Sequence, residues 1–221
     1  MNSIRPQGHQ SEMKPDELHL VDHRQIVESM VIRRPVRADE ASAQQLFRLS
    51  ITDAFRQEGL SDHEEEMAYE ISHKAKLLQA AFEASENEQT AAQAELDTRG
   101  VPVQPIFLIA ALEGQVLGTI SFGPSGKQAR ELSQGRLNEV GELGSLYIRP
   151  DYQNLGIGSR LIAAMMSELE ARGIQSFCLD SGYGRAQQRW RRKFGEPYLW
   201  VEDHWGPGGH HAVWHCRVDE M

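Results

Sequence analysis

Cysteine is nearly absent from the 221 residues: only Cys178 and Cys216 occur, and they form no Cys-x-x-Cys pair. The first residues, Met1 to Pro15, contain no apolar leader segment. Without a secretory signal the two thiols read as free rather than bridged, and a cytoplasmic protein is the expectation. No apolar run approaches the roughly 20 residues a membrane-spanning helix needs, so no membrane partner is expected. Basic residues are in the minority, 23 Lys and Arg against 32 Asp and Glu, for a formal charge of −9. Nucleic-acid binders normally present a basic surface, so a nucleic-acid partner is not expected either. The acidic balance is compatible with a cationic partner such as an amine. Internal repeats are missing, as is low-complexity sequence beyond the N-terminal residues.

The remainder has the balance of a globular chain, with 40% hydrophobic and 25% charged residues. Residues 1–29 read as a flexible polar tail with at most a short helix near Asp16–Glu28. Residues 30–221 read as one domain, large enough for a real core. Met30–Val36 is predicted as a strand. Ala38–Phe55 is predicted as a helix, with Leu46, Phe47, Leu49 and Ile51 on one face. Ser61-Asp62-His63-Glu64 has the form of a capping box. The helix behind it would bury Met67, Ile71, Ala75 and Leu78, restart at Ser85–Glu88, and stop at Gly100 and Pro102.

A hairpin follows: Ile106–Ala111, a turn at Glu113-Gly114, and Val116–Phe122. Gly123–Asn138 reads as a loop and Glu139–Ile148 as a strand. The next helix, Gly158–Ala171, would bury Leu161, Ile162, Met165, Met166 and Leu169, with Gly173 at its C-terminal cap. Ile174–Leu179 is a strand and Ala186–Phe194 a short basic helix. Tyr198–His204 and His211–Val218 close the chain as strands around Gly206-Pro207-Gly208-Gly209. The order describes a mixed α/β domain.

Chemistry concentrates in Gly141–Leu161, where a strand runs through a glycine-containing loop into a helix. The helix N-terminus offers unpaired N–H groups and partial positive charge, a combination that binds phosphate. Gly156 and Gly158 let a ligand approach the backbone without a Cβ in the way. The loop lacks the first glycine of a dinucleotide-binding fingerprint. No Gly-Lys-Ser/Thr follows it, so it is not a Walker loop.

Gln153-Asn154-Leu155-Gly156-Ile157-Gly158 resembles the Q/R-x-x-G-x-G/A signature of the GNAT N-acetyltransferases. The preceding Leu146-Tyr147-Ile148-Arg149-Pro150-Asp151-Tyr152 resembles that family's strand and loop entry, and the amphipathic helix behind the loop resembles it again. The resemblance is tightest over Glu139–Arg172 and, by element order, extends over most of Met30–Val218. It implies a GNAT-like α/β fold: a mixed, mostly antiparallel central sheet flanked by helices and splayed at its central strands. It implies transfer of an acetyl group from acetyl-CoA to a primary amine of a small molecule or peptide. Homodimers are common in the family.

The resemblance also implies where acetyl-CoA would lie. Its pyrophosphate would rest on backbone N–H groups of Gln153, Asn154, Leu155, Gly156, Ile157, Gly158 and Ser159. Its pantetheine arm would pair like an extra strand with Leu146, Tyr147 and Ile148. The N–H of Leu146 would stabilise the oxyanion of the thioester carbonyl. Glu142 lies eleven residues before Gln153, the offset at which several members carry a general-base glutamate. Partial desolvation there would raise its pKa toward the working range. The plainer alternative is a strand-end glutamate facing water or paired with an arginine.

The family usually protonates the leaving thiolate with a tyrosine in a pattern close to A-x-x-x-Y-x-K-x-G-F. Here Ala186-Gln187-Gln188-Arg189-Trp190-Arg191-Arg192-Lys193-Phe194-Gly195 puts Trp190 in the tyrosine slot and reverses Phe194 and Gly195. An indole N–H is not a usable acid. Tyr183 is the nearest substitute and Tyr198 a weaker one. Water is the alternative, and a half-buried aromatic is the plainer reading of either tyrosine.

Arg185, Arg189, Arg191, Arg192 and Lys193 read either as attractors of cofactor phosphates or as a solvated helix face. His204, His210, His211, His215 and Cys216 crowd the last hairpin, but strand alternation points them to both faces, so no metal site is expected. One of these histidines, or Trp205, would line an acceptor pocket. The Trp190 departure keeps open a catalytically idle acyl-CoA-binding sensor or scaffold, and the glycine loop keeps open a nucleotide-binding module.

Overall fold

The computed structural model describes residues 25–87 and 105–220. Most of the expected tail, and the stops at Gly100 and Pro102, lie outside the described residues. The described part of a first helix, α1, is residues 25–29. Ile26 and Val27 in it pack against the main core.

Seven strands form one sheet in the order β1-β2-β3-β4-β5-β7-β6. They are β1 (Val31–Arg33), β2 (Ile106–Leu112), β3 (Gln115–Pro124), β4 (Gly141–Ile148), β5 (Ser176–Ser181), β6 (Leu199–Val201) and β7 (His211–Arg217). All neighbours are antiparallel except β4 and β5. The unbroken apolar run of β2 has a simple cause: both of its faces are covered. Ile106, Leu108 and Ala110 face one core, Phe107, Ile109 and Ala111 the other. The β2–β3 turn places Glu113 and Gly114 at φ 49° and 79°, the conformation tight hairpins need.

Helices α2 (Glu40–Gln57) and α3 (Glu64–Asn87) cover one face of the sheet. Ala43, Leu46, Phe47, Ile51, Phe55, Leu78 and Phe82 are buried there against β2 and β3. Leu49, expected on that face, is exposed. It follows Phe47 by two residues, about 200° around the helix, and so points to solvent. Ser61 lies in the turn ahead of α3, which starts at Glu64. The helix continues to Asn87 without the expected break at Ser85.

The opposite face is covered by α5 (Ile157–Ala171), whose Leu161, Ile162, Met165, Met166 and Leu169 are all buried. The stretch read as a loop before β4 contains a helix, α4 (Lys127–Leu132). With a single buried residue in it, Ala129, there was no apolar stripe to announce it. The last helix is α6 (Gly184–Phe194). Its buried Gln187 amide donates to the carbonyls of Ser181 and His210, at 2.9 and 3.0 Å, tying α6 to β5 and the closing hairpin.

Two irregularities open the sheet at its centre. Strands β4 and β5 pair only at Gly141↔Phe177 and Glu142↔Cys178, leaving the rest of that β4 edge unpaired. On its other side, β4 slips against β3 between Ser121↔Gly144 and Thr119↔Tyr147, where β4 carries one extra residue. Ser145 in this bulge has φ 48°, and its carbonyl accepts the Thr119 hydroxyl at 2.8 Å. A bulge of this kind bends a strand and resets which side chains face which way. Leu143 before it and Leu146 and Ile148 after it therefore face the same core, while Tyr147 turns to the α2–α3 side.

Candidate active site

The opening between β4 and β5 widens into a cleft of ≈ 920 Å³ bounded by α2, α3, the β4–α5 loop and α6. Its floor is the β4 segment 142–148, contributed without a gap. Glu142 lines the cleft where the strands part. Its Oε2 accepts the Gly126 N–H at 2.7 Å. A Cβ at Gly126 would stand 3.1 Å from that oxygen, so a glycine there lets the chain close over the carboxylate. Burial first, then the charge of Asp180, raise the Glu142 pKa to about 7. The Gly126 N–H, Lys74 and Arg130 pull the other way without cancelling the shift. A carboxyl group in that range can take up and release a proton near neutrality.

The β4–α5 loop presents backbone to the far end of the cleft. Gly156, at φ 85°, is the N-cap of α5 and no side chain caps the helix. Asn154 is left-handed as well, at φ 62°. Gln153, Asn154, Gly156, Ile157, Gly158 and Ser159 all line the cleft. Leu155 does not: it is half-buried and packs against the main core, so its side chain anchors the loop.

Helix α6 lines the same cleft with Arg185, Arg189, Arg192 and Lys193, the positions that share one side of a helix. Arg191 turns away, its guanidinium 4.6 Å from the Trp200 ring centroid and 3.7 Å from Glu196. An uncapped helix N-terminus and four cationic side chains lining one cleft fit a phosphate-bearing ligand.

Both tyrosines of interest belong to one arrangement. Tyr147 and Tyr183 donate from their hydroxyls to the two oxygens of Glu70 on α3, at 2.6 and 2.5 Å. Burial and the Glu70 charge push both phenols well above their ordinary pKa. Tyr183 thus lines the cleft, as expected of a candidate acid, but its proton is held tightly and its hydroxyl is engaged. Trp190, in the usual acid's slot, packs against Phe194 and the core at the cleft wall. Tyr198 lies elsewhere, near Arg136 and edge-on to His215.

Among the described residues no group of three or more His, Cys, Asp or Glu is placed to hold a metal. His210 accepts the Asp203 N–H and stacks near Trp200. His211 is buried behind Asp180, which lines the cleft.

Sequence reasoning had not singled out Glu58, Glu70, Lys74, Gly126 or Asp180. Glu58 accepts the Gly184 and Arg185 N–H groups at 3.2 and 3.0 Å, capping α6 from the end of α2. Glu70 and Lys74 sit one turn apart on α3, and that spacing was the only available signal.

The profile of the Acetyltransferase (GNAT) family matches residues 74–195. The chain belongs to this family of acetyltransferases. It is also similar to a mycothiol acetyltransferase of Cellulomonas flavigena, 35% identical over 77 residues. That match covers 34% of this chain and 22% of the relative, so the chain spans only about a fifth of the relative's length.

Two solved structures share the fold. PaiA N-acetyltransferase of Thermoplasma acidophilum, in complex with coenzyme A, superposes with a TM-score of 0.58 at 18% identity, covering 86% of this chain and 99% of its own. YncA of Salmonella typhimurium, with its cofactor acetyl-CoA, superposes with a TM-score of 0.50 at 16% identity, covering 87% and 95%.

Proposed function

We propose that this chain moves an acetyl group from acetyl-CoA to a primary amine of a small molecule or peptide, with Glu142 as general base. One observation carries the reading: a carboxyl group with a pKa of about 7 stands where β4 and β5 part, in the same cleft as an uncapped helix N-terminus. Bound acetyl-CoA would supply the activated acetyl thioester, a role consistent with the ligands in PaiA and YncA.

The backbone around Asn154–Ser159 and the cationic side of α6 would hold its phosphates. The unpaired edge of Leu146, Tyr147 and Ile148 would align its extended arm, with the Leu146 N–H toward the reacting carbonyl. Glu142 would take the proton of the attacking ammonium. Tyr183 and Tyr147 orient Glu70, and the departing thiolate takes its proton from water.

The test is thiol release from acetyl-CoA across a panel of amines by the wild type and Glu142→Gln. A loss of roughly 10²–10⁴ in turnover at saturating acetyl-CoA is expected, shrinking as pH rises and more amine is already neutral. Equal rates would remove Glu142 from the mechanism. Tight acetyl-CoA binding with no release for any amine would favour an idle sensor module.

A further inference from the structure

Asp180 shares the cleft wall with Glu142. Glu142 pairs with Cys178 across the last rung of the parallel ladder, and Asp180 is two residues further along β5, on the face of Cys178. Behind Asp180 stands His211 of β7, only 3% exposed. Its Nδ1 accepts the indole N–H of Trp205 at 3.0 Å. With Nδ1 acting as acceptor, the neutral ring carries its proton on Nε2. That Nε2 is buried, forms no hydrogen bond, and stands 3.5 Å from the Asp180 Oδ2. Among the described residues Asp180 is thus the carboxylate the imidazole faces, and Trp205 fixes the tautomer that faces it.

The sequence is adapted to this contact. A Cβ at Gly182 would lie 2.7 Å from the Trp205 Nε1, so any larger residue there would push the indole off His211.

We propose that Asp180 is a positioning residue for acetyl transfer: backed by the His211 ring that Trp205 orients, it shares the mouth of the splayed sheet with Glu142 and acts on the reaction through that carboxyl group. This rests on the reading of Glu142 as base. The other groups that act on Glu142 are Lys74 of α3, Arg130 of α4 and the Gly126 N–H, and its cross-strand neighbour Cys178 of β5 is a buried thiol whose pKa burial and Glu142 raise. Of these, Lys74, Arg130 and Gly126 favour the ionised carboxylate, and Asp180 is the charged group opposing them. Without Asp180, Glu142 would ionise at lower pH and accept protons less readily at neutrality.

The test is the pH profile of kcat/KM for an amine acceptor, from pH 5 to 9, in wild type, Glu142→Gln, Asp180→Asn and Trp205→Phe. Glu142→Gln should erase the acid limb near pH 7, and Asp180→Asn should move that limb about one unit toward acid. Trp205→Phe removes the indole donor that orients the His211 ring behind Asp180, and should move the limb the same way by a smaller amount. Trp205 is exposed, so this variant keeps the comparison available if Asp180→Asn does not fold. The same shift can be read without catalysis, from the carboxyl ¹³C resonance that Glu142→Gln removes.

An acid limb unmoved in every folded variant, while Glu142→Gln has erased it, overturns the role of Asp180 alone. A limb that survives Glu142→Gln overturns the base and this inference together.

Discussion

Glu142 binds its proton more tightly in the folded chain than in an open one, and this has a consequence for stability. Its pKa is about 7 in the fold against an ordinary value of 4.5. Between those values the folded state holds more protons than the unfolded state, so stability falls as pH rises through that window. At ~1.4 kcal/mol per unit, the deficit above pH 7 is at most about 3.5 kcal/mol. Glu142→Gln should therefore match wild type in urea unfolding below pH 4 and exceed it at pH 8, even as it loses turnover. A purely structural glutamate would give the opposite result, lower stability with normal turnover. Tyr183 invites a complementary experiment. Tyr183→Phe removes one hydrogen bond to a carboxylate and should cost about 1–3 kcal/mol of stability, with less than a tenfold change in saturated turnover. A loss of 10² or more in turnover at unchanged stability would make Tyr183 the acid after all.

At the scale of elements, α6 divides its charges between two duties. Arg189 and Arg192 line the cleft, while Arg191 lies over Trp200. Arg189→Glu should weaken coenzyme A binding by about tenfold or more, the equivalent of ~1.4 kcal/mol, and make it less sensitive to salt. Arg191→Glu should leave that affinity nearly unchanged. Equal losses from both would mean that the helix acts by its net charge and not by its face. Titration calorimetry at two salt concentrations separates the cases. In the sequence all five basic residues looked alike: Trp190 and Phe194, four apart, mark the face of α6 that meets the core, but nothing local says which of the remaining positions border the cleft. The glycine loop and α5 were legible because their signals are local: a left-handed Gly156 at a helix start and apolar residues at three- and four-residue spacing.

For the molecule as a whole, the chain carries a formal charge of −9, yet α6 brings four cationic side chains to the cleft. A phosphorylated ligand bound there would couple to the entire fold, because the cleft is lined by β4, the loop, α5 and α6. Coenzyme A at a hundred times its Kd should add about 2.7 kcal/mol of stability, or roughly 5–10 °C in melting temperature for a chain of this size. No shift at millimolar coenzyme A would mean that the cleft does not bind it.

Several features of this protein were determined by the sequence alone. The apolar run Ile106–Ala111 marked a strand, Glu113-Gly114 a tight turn, and Gln153–Gly158 a glycine-containing loop before an amphipathic helix. Each rests on neighbours within a few positions, where periodicity and backbone preference act. The tertiary structure decided the rest. It brought Glu70 to hydroxyls 77 and 113 positions away, set Asp180 near Glu142 from a different strand, and turned Leu155 inward. Such pairings depend on how strands register and helices dock. The bulge at Ser145 shows why they escape a linear reading: one extra residue reverses which face every later side chain of β4 presents.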